Sequence, residues 1–422
     1  GFVTMVVAAK SLASLAAWMI EETAAPEWLP DIDWDSWDLT RAIAEDDTEF
    51  IKTHNDMQGL LEGFVLGKTK AELYDRAITH RILLAPCQTV KEIVESPQLA
   101  ARNFWTDVDV PEIGGSLKYL GPYVKMGESP LKIRRPAPGI GEHNDEVFGE
   151  LNTRTKTARD TPKLDPNGGG PRMPFGGLRV LDFTWVGVGP ITIKYLGDHG
   201  AEVIRVESVS RPDLLRNAPP FKDAQPGINR SQFPASYNTS KYGLRLDMST
   251  PRARELIKQL LREWRPDVVA ESFTPRVMPS WGLGYEDVKA VLPDIVYFST
   301  CQQGQTGPHS SYAGFGQLAA SLAGFYHLTG WPDRGPVSPY GAYADFINPP
   351  NAFAAIVAAL EFRRRTGKGQ HLDLAQYECA THYLAPVIMD YMASGRVMDR
   401  RGNADENAIP HGVYRCKDSA RR

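Results

Sequence analysis

Acyl and phosphoryl chemistry needs a carboxylate, thiol, hydroxyl or imidazole in a particular setting, and in this sequence the setting of Asp345 is distinctive. It lies in Gly341-Ala342-Tyr343-Ala344-Asp345-Phe346, ahead of Asn348-Pro349-Pro350 and the apolar run Ala352 to Leu360. A carboxylate near a helix start has two readings. It caps the helix by accepting from unpaired backbone N–H groups, or it stays ionised there and acts as a nucleophile, with backbone N–H groups stabilising the oxyanion. The local pattern leaves both open. A second candidate is Gly187-Val188-Gly189-Pro190, which follows an apolar run and precedes a helical one. Exposed N–H groups and a helix N-terminus meet at such a turn and favour phosphate. Ile193 occupies the last position of a Gly-x-Gly-x-x-Gly fingerprint, so the stretch reads equally as a tight turn and as part of a nucleotide cleft.

Other reactive side chains lack a working pattern. His199, His309, His327, His371, His382 and His411 are dispersed, and Ser299 and Ser310 sit in no Gly-x-Ser-x-Gly elbow. Cys87, Cys301, Cys379 and Cys416 form neither a Cys-x-x-Cys pair nor a Cys/His cluster. Reduced thiols, a cytoplasmic location and no metal site are therefore expected. Arg363-Arg364-Arg365 before Thr366-Gly367-Lys368-Gly369 suits a helix C-terminus, or a phosphate contact. Over the 422 residues, 47 Lys+Arg against 51 Asp+Glu give a net charge of −4 without a basic stripe, which excludes nucleic acid as an expected partner. The longest apolar runs, such as Phe2 to Ala9, fall short of the roughly 20 residues a membrane helix needs.

The elements that must carry these residues are legible. Residues 178–183 read as a buried strand, 191–199 as a helix and 203–206 as the next strand, which makes one βαβ unit. A second follows: 244–248 extended, a helix opened by Thr250 as N-cap and Pro251 at N1, and a strand over 267–270. Residues 295–299 add another. This alternation predicts α/β architecture with a Rossmann-like parallel sheet and flanking helices. Before it, Leu60, Leu61, Phe64 and Val65, then Leu73 and Tyr74, recur at helical spacing. They predict a smaller, largely helical α+β domain to about residue 90. From about 95 to 150 the chain should return to the large domain through short strands. Residues 151–175, centred on Gly168-Gly169-Gly170-Pro171, read as a linker. It separates 1–150 from 176–422.

Several phrases, taken together, resemble the class III CoA-transferases, the CaiB/BaiF family that includes formyl-CoA transferase, carnitine CoA-transferase and α-methylacyl-CoA racemase. They are Gly177 to Thr184, Gly189-Pro190, Leu196 to Glu207, Asn238-Thr239-Ser240-Lys241, Glu271-Ser272-Phe273-Thr274-Pro275, Trp281 to Tyr285 and Thr366 to Asp373. Residues 1–150 resemble the family's C-terminal portion through Leu84-Ala85-Pro86-Cys87, Val94 to Leu99, Arg102-Asn103-Phe104-Trp105 and Arg134 to His143. The order is thus inverted. A fragment of a tandem fusion is the simpler expectation, and a circular permutation the alternative.

The resemblance implies a reaction and a site. In the family one Asp attacks an acyl-CoA thioester, giving a mixed anhydride and then an aspartyl-CoA thioester that passes CoA to an acceptor carboxylic acid. The matching residue is Asp345. CoA contacts carry over to Gly187, Val188, Leu246, Asp247, Met248, Ser249, Ser272, Phe273, Thr274 and Phe315. Coenzyme A is then a substrate, with no permanently bound cofactor. Ser208, Ser249 and Ser280 replace basic family positions, which leaves Arg211, Arg216 or Arg276 for the phosphates. Asp405-Glu406-Asn407-Ala408 replaces the glycine-rich lid of formyl-CoA transferase, against formate or oxalate as substrate. Phe315 stands where the family's racemases carry a His, so two-base racemisation lacks a base. Racemase or isomerase activity remains an alternative, as does a non-catalytic acyl-CoA-binding half of a fused pair. Phe315, Tyr340 and Tyr343 point to an apolar or aromatic acceptor, or else to core packing. The family's interlocked homodimer, or pairing with a second copy in the same chain, is the implied assembly.

Overall fold

The structure is a computed structural model and describes residues 1–6, 8–110, 114–135, 137–153 and 173–416. The linker expectation falls largely outside them. Among the described residues eleven strands form: β1 (Val3–Met5), β2 (Leu84–Pro86), β3 (Trp105–Val110), β4 (Gly115–Leu120), β5 (Lys125–Met126), β6 (Arg179–Phe183), β7 (Glu202–Glu207), β8 (Tyr242–Arg245), β9 (Val268–Glu271), β10 (Val296–Cys301) and β11 (Gln370–Ala375). Seven of them form one sheet in the order β5-β11-β10-β9-β6-β7-β8. All its pairings are parallel except β5 with β11. The fold is α/β, with the Rossmann-like sheet that the βαβ alternation predicts.

The sheet is covered on both faces, which is why its central strands β9 and β10 are buried at every residue. Val180, Val268, Phe298 and Leu372 face Ile193 and Leu196 of helix Val188–Asp198 and Ile356 of helix Pro349–Thr366. Their neighbours Leu181, Val269 and Tyr297 face Ile257 of helix Pro251–Glu263 and Val288 of helix Tyr285–Val291. Alternate residues thus build two cores. The reading of 244–248 as extended is corrected: β8 ends at Arg245, and Asp247 accepts from the Ser249 N–H at 3.0 Å to form a turn.

A third core belongs to both halves of the sequence. Helices Ala9–Glu21, Thr48–Leu66 and Lys70–His80 contribute Leu15, Met19, Leu61 and Leu73, which cluster with Leu318, Leu322, Ala344 and Tyr377. Pairing of β5 with β11 also brings residues from the N-terminal half to the sheet edge. At that seam Arg102, whose side chain is fully buried, donates to Glu378 Oε1 at 2.6 Å, Glu378 Oε2 at 3.0 Å and Asp373 Oδ2 at 2.7 Å. Burial opposes the charge, but the two carboxylates hold the guanidinium above its usual pKa. Among the described residues no helix is long and apolar enough to cross a membrane.

Arg102→Met leaves two buried carboxylates without their cation, and a loss of about 3–5 kcal/mol is expected. Urea denaturation of the full chain checks it; a loss below about 1 kcal/mol contradicts the role given to Arg102.

Candidate active site

Asp345 lies in the short helix Tyr343–Ile347, which precedes the long Pro349–Thr366 helix. It does not cap that long helix. Asn348 occupies the N-cap position without a side-chain cap bond, so the capping reading is corrected. Asp345 is 4% exposed, and its Oδ2 accepts the Gly316 N–H at 3.3 Å. Two glycines allow this approach. A Cβ on Gly187 would stand 2.6 Å from Asp345 Cγ, and one on Gly316 equally 2.6 Å from it. Burial pushes the carboxyl up to about 7, and the single N–H bond only partly opposes the shift.

The cavity that holds Asp345 is small, about 140 Å³. Gly187, Ser272, Phe273, Thr274 and Phe315 lie on its wall, as do Trp185, Cys301, Gln302 and Gln376. Trp185 and Phe273 also line a second chamber of about 550 Å³ whose wall includes Leu246, Asp247, Met248 and Ser249. The Trp185 and Phe273 ring centroids are 5.7 Å apart, and Phe273 and Trp281 are 5.5 Å apart. The two chambers meet at these rings. Val188, by contrast, is buried in the core at the start of its helix.

Local bonds hold the three turns in register. Ser272 Oγ accepts the Trp185 N–H at 2.7 Å and donates to the Trp185 carbonyl at 3.2 Å. Val186 takes a φ of +67°, costly for a β-branched residue. Its N–H donates to Asp213 Oδ2 at 3.0 Å, and Arg205 fixes that carboxylate at 2.8 Å. Below Phe273, Glu271 accepts the Phe273 N–H at 2.7 Å, and burial pushes its carboxyl up to about 8. Asp247 accepts from Ser210 Oγ at 2.6 Å and Ser249 Oγ at 2.7 Å, bonds that lower its pKa to about 2. Its carboxylate shapes the turn.

The cations of the larger chamber are Arg211 and Lys10. Lys10 comes from helix Ala9–Glu21, and no local motif marks it. Ser208 and Ser249 share that wall. Arg216 is engaged by Glu207 at 2.5 and 2.8 Å, and Arg276 is exposed at the start of helix Val277–Ser280. Arg363 is bound to Asp267, and Arg364 and Arg365 to Glu361. A separate cavity of about 480 Å³ beside β8 contains Arg205, Arg216 and Lys241, which ion pairs with Asp213, Glu207 and Asp182 already engage, and the exposed Arg245. Burial depresses Lys241 to about 8. Of the three aromatics expected at an acceptor pocket, Phe315 lines the Asp345 cavity. Tyr343 packs on Phe325 at 5.1 Å, and Tyr340 is 89% exposed.

The geometry is thus an α/β sheet with a buried carboxylate in the smaller of two adjoining chambers. Comparison with known proteins is more specific: the chain belongs to CoA-transferase family III, matched over residues 8–144 and 175–421. It is 35% identical over 249 residues to the succinate–glutarate CoA-transferase of Agrobacterium fabrum, covering 58% of this chain and 62% of that one. It is 31% identical over 249 residues to the acetyl-CoA:oxalate CoA-transferase of Acetobacter aceti, covering 59% and 62%. A CaiB/BaiF family protein from Brucella suis, solved by crystallography, superposes with a TM-score of 0.53 at 37% identity, over 57% of this chain and 63% of that one. The chain thus spans about three-fifths of the length of the relatives it matches.

Asp345 also makes a stability prediction. Its carboxyl titrates near 7 when folded and near 4 when unfolded, so the native state binds the extra proton between these values. Stability contributed by the site falls as pH rises from about 4 to 7 and stays reduced above. Asp345→Asn should therefore stabilise the chain more at pH 8 than at pH 4, by a difference on the order of 4 kcal/mol. Denaturant midpoints at the two pH values check this, and an equal effect at both contradicts it.

Proposed function

We propose that this chain moves CoA from an acyl-CoA donor to a carboxylic acid acceptor, with Asp345 carrying the acyl group and CoA in turn. The observation behind this reading is a buried carboxylate in the cavity shared by the Gly187, Phe273 and Phe315 segments of a family III chain. The ionised Asp345 Oδ attacks the thioester carbonyl, and the C–S bond breaks to leave a mixed anhydride and CoA thiolate. The thiolate attacks the aspartyl carbonyl, the anhydride C–O bond breaks, and the donor leaves as its carboxylate. Acceptor carboxylate then attacks the aspartyl-CoA thioester and expels the thiolate. Attack of that thiolate on the acceptor's carbonyl forms the new acyl-CoA and restores Asp345. No proton is consumed over the exchange, and the acyl group stays covalently held on Asp345 or CoA throughout.

The larger chamber is the proposed place for the nucleotide end of CoA. Its apolar wall of Phe183, Val206, Leu246 and Trp281 suits a base, and Lys10 and Arg211 suit phosphates. The acceptor class is carboxylic acids, supported by the acids named in the relatives.

We further propose that residues 1–150 correspond to the C-terminal portion of a family module and 176–422 to its N-terminal portion. The family match in two pieces supports this division. Separate superposition of the two parts on an intact family member tests it; placement in the reverse sense removes it. A homodimer, or pairing with a second copy, is supported by exposed apolar residues such as Tyr340 and Ile409, at 89% and 94%. Sedimentation velocity is expected to show self-association, and a monodisperse monomer contradicts it.

Chemistry is tested by trapping. With an acyl-CoA donor, hydroxylamine should convert Asp345 to a hydroxamate, detected by mass spectrometry of the digested chain. Trapping should rise with pH through about 7 as the carboxyl ionises. Asp345→Asn should abolish it while CoA binding persists. An adduct on another carboxylate, or undiminished turnover in Asp345→Asn, overturns the assignment.

A further inference from the structure

Two glutamines on the wall of the Asp345 cavity take no part in the steps above. Gln302 follows the last residue of β10, and Gln376 opens helix Gln376–Thr381 just after β11. Parallel pairing of those strands sets Cys301 beside Ala375, so the two side chains emerge together. Gln302 is 3% exposed and Gln376 8%. Gln302 Nε2 donates to Gln376 Oε1 at 3.0 Å, while Gln302 Oε1 is buried with no partner among the described residues. Gln303 Oε1, Gln317 Oε1 and Asn348 Oδ1 are also unpartnered, but none of those residues lines this cavity. A buried amide oxygen without a donor is costly to retain, so this one, on a residue that shares the cavity wall with Asp345, marks a place for a ligand's hydrogen-bond donor.

The donor's chemistry is constrained. An ionised acceptor carboxylate and a thioester carbonyl have no hydrogen to give. A hydroxyl does, and it suits either orientation of the amide pair: it donates to Oε1, or, if both amides turn over, accepts from the freed N–H. Among the described residues Asp345 is the one charged residue on the wall, and the cavity of about 140 Å³ holds a short chain. We infer that Gln302, oriented by Gln376, binds a hydroxyl on the acyl chain of the substrate, so that the enzyme prefers short hydroxylated carboxylic acids to their deoxy counterparts. The inference rests on the CoA-transfer reading and replaces the apolar or aromatic acceptor expected from Phe315, Tyr340 and Tyr343.

The experiment uses the full chain, one acyl-CoA donor and two acceptor pairs, lactate against propionate and 3-hydroxybutyrate against butyrate. The hydroxylated member of at least one pair should have a kcat/KM roughly 10-fold or more higher, since a site built to bond a hydroxyl rejects the analogue lacking it. Gln302→Leu should level that ratio, lowering kcat/KM for the hydroxy acid roughly 10-fold more than for the deoxy acid. Equal use of both members by the unaltered chain overturns the inference; it is also the result expected if a pantetheine amide of CoA, present with every acceptor, occupies Gln302 Oε1. A preference that survives Gln302→Leu overturns it as well. Should that variant fail to fold by circular dichroism, Gln376→Leu repeats the test, and the ratio in the unaltered chain already decides. If no acyl-CoA labels Asp345, the transfer reading fails separately. Calorimetric titration of Asp345→Asn with the same acids then still reads the hydroxyl preference without turnover.

Discussion

A guanidinium buried from water must find carboxylates, and Arg102 finds two that are remote in sequence, Asp373 and Glu378. The geometry is nearly saturated: Arg102 Nη1 also donates to Thr306 Oγ1 at 2.9 Å. Removing either side would strand charge in a low-dielectric interior, so the N-terminal half and the sheet edge keep one relative position. Neighbouring bonds share the constraint. Gln98 Nε2 donates to the carbonyls of Gln303 and Thr306 at 2.7 and 2.8 Å, and its Oε1 accepts the His309 N–H at 2.8 Å. Gly304, at φ +81°, packs so closely on Arg102 that a Cβ there would lie 2.3 Å from its Cζ. The loop after β10 is therefore moulded on residues from the other half.

That loop continues into Tyr312, Ala313, Gly314 and Phe315, all on the wall of the Asp345 cavity. Tyr312 donates to the Leu84 carbonyl at 2.8 Å, and Ser321 to the Pro86 carbonyl at 3.0 Å, which fastens the helix carrying Gly316 to β2. The site residue with the strongest electrostatic demand thus depends on contacts across the whole sequence. Asp345 has no cation beside it among the described residues, and its elevated pKa is the consequence of enclosure between Gly187 and Gly316. A carboxylate kept poorly solvated is a stronger nucleophile once ionised, at the cost of stability near neutral pH.

The cleft divides its work by polarity. Its larger chamber is mostly apolar with Lys10 and Arg211 as cations. The smaller has one carboxylate, a pair of neutral amides and aromatic edges. Trp185 and Phe273 form the junction, and their turns are tied by Ser272. Strain at Val186 is supported by the Asp213–Arg205 pair, an arrangement common where backbone must approach a ligand.

Much of this was legible from residue order. Apolar runs of four to six residues alternating with helical periodicity dictate a parallel sheet covered on both faces, because backbone polar groups must pair locally and apolar faces must be buried. Thr250-Pro251 announced a helix start for the same local reason: the N-cap bond from Ala253 N–H and the fixed φ of Pro lie within four residues. The resemblance singled out Asp345, Gly187 and Phe273, which the structure brings to one cavity. Tertiary structure alone decided the rest. Whether Asp345 capped a helix depended on where the chain bent at Asn348. Lys10 reached the larger chamber, and Gln302 met Gln376, through packing and strand register between segments far apart in sequence. Burial, too, belongs to the assembled chain, and burial is what raised the Asp345 pKa and left the Gln302 oxygen without a partner. Local spacing encodes hydrogen bonds made within a turn or a strand; desolvation and long-range pairing exist only after the halves have packed.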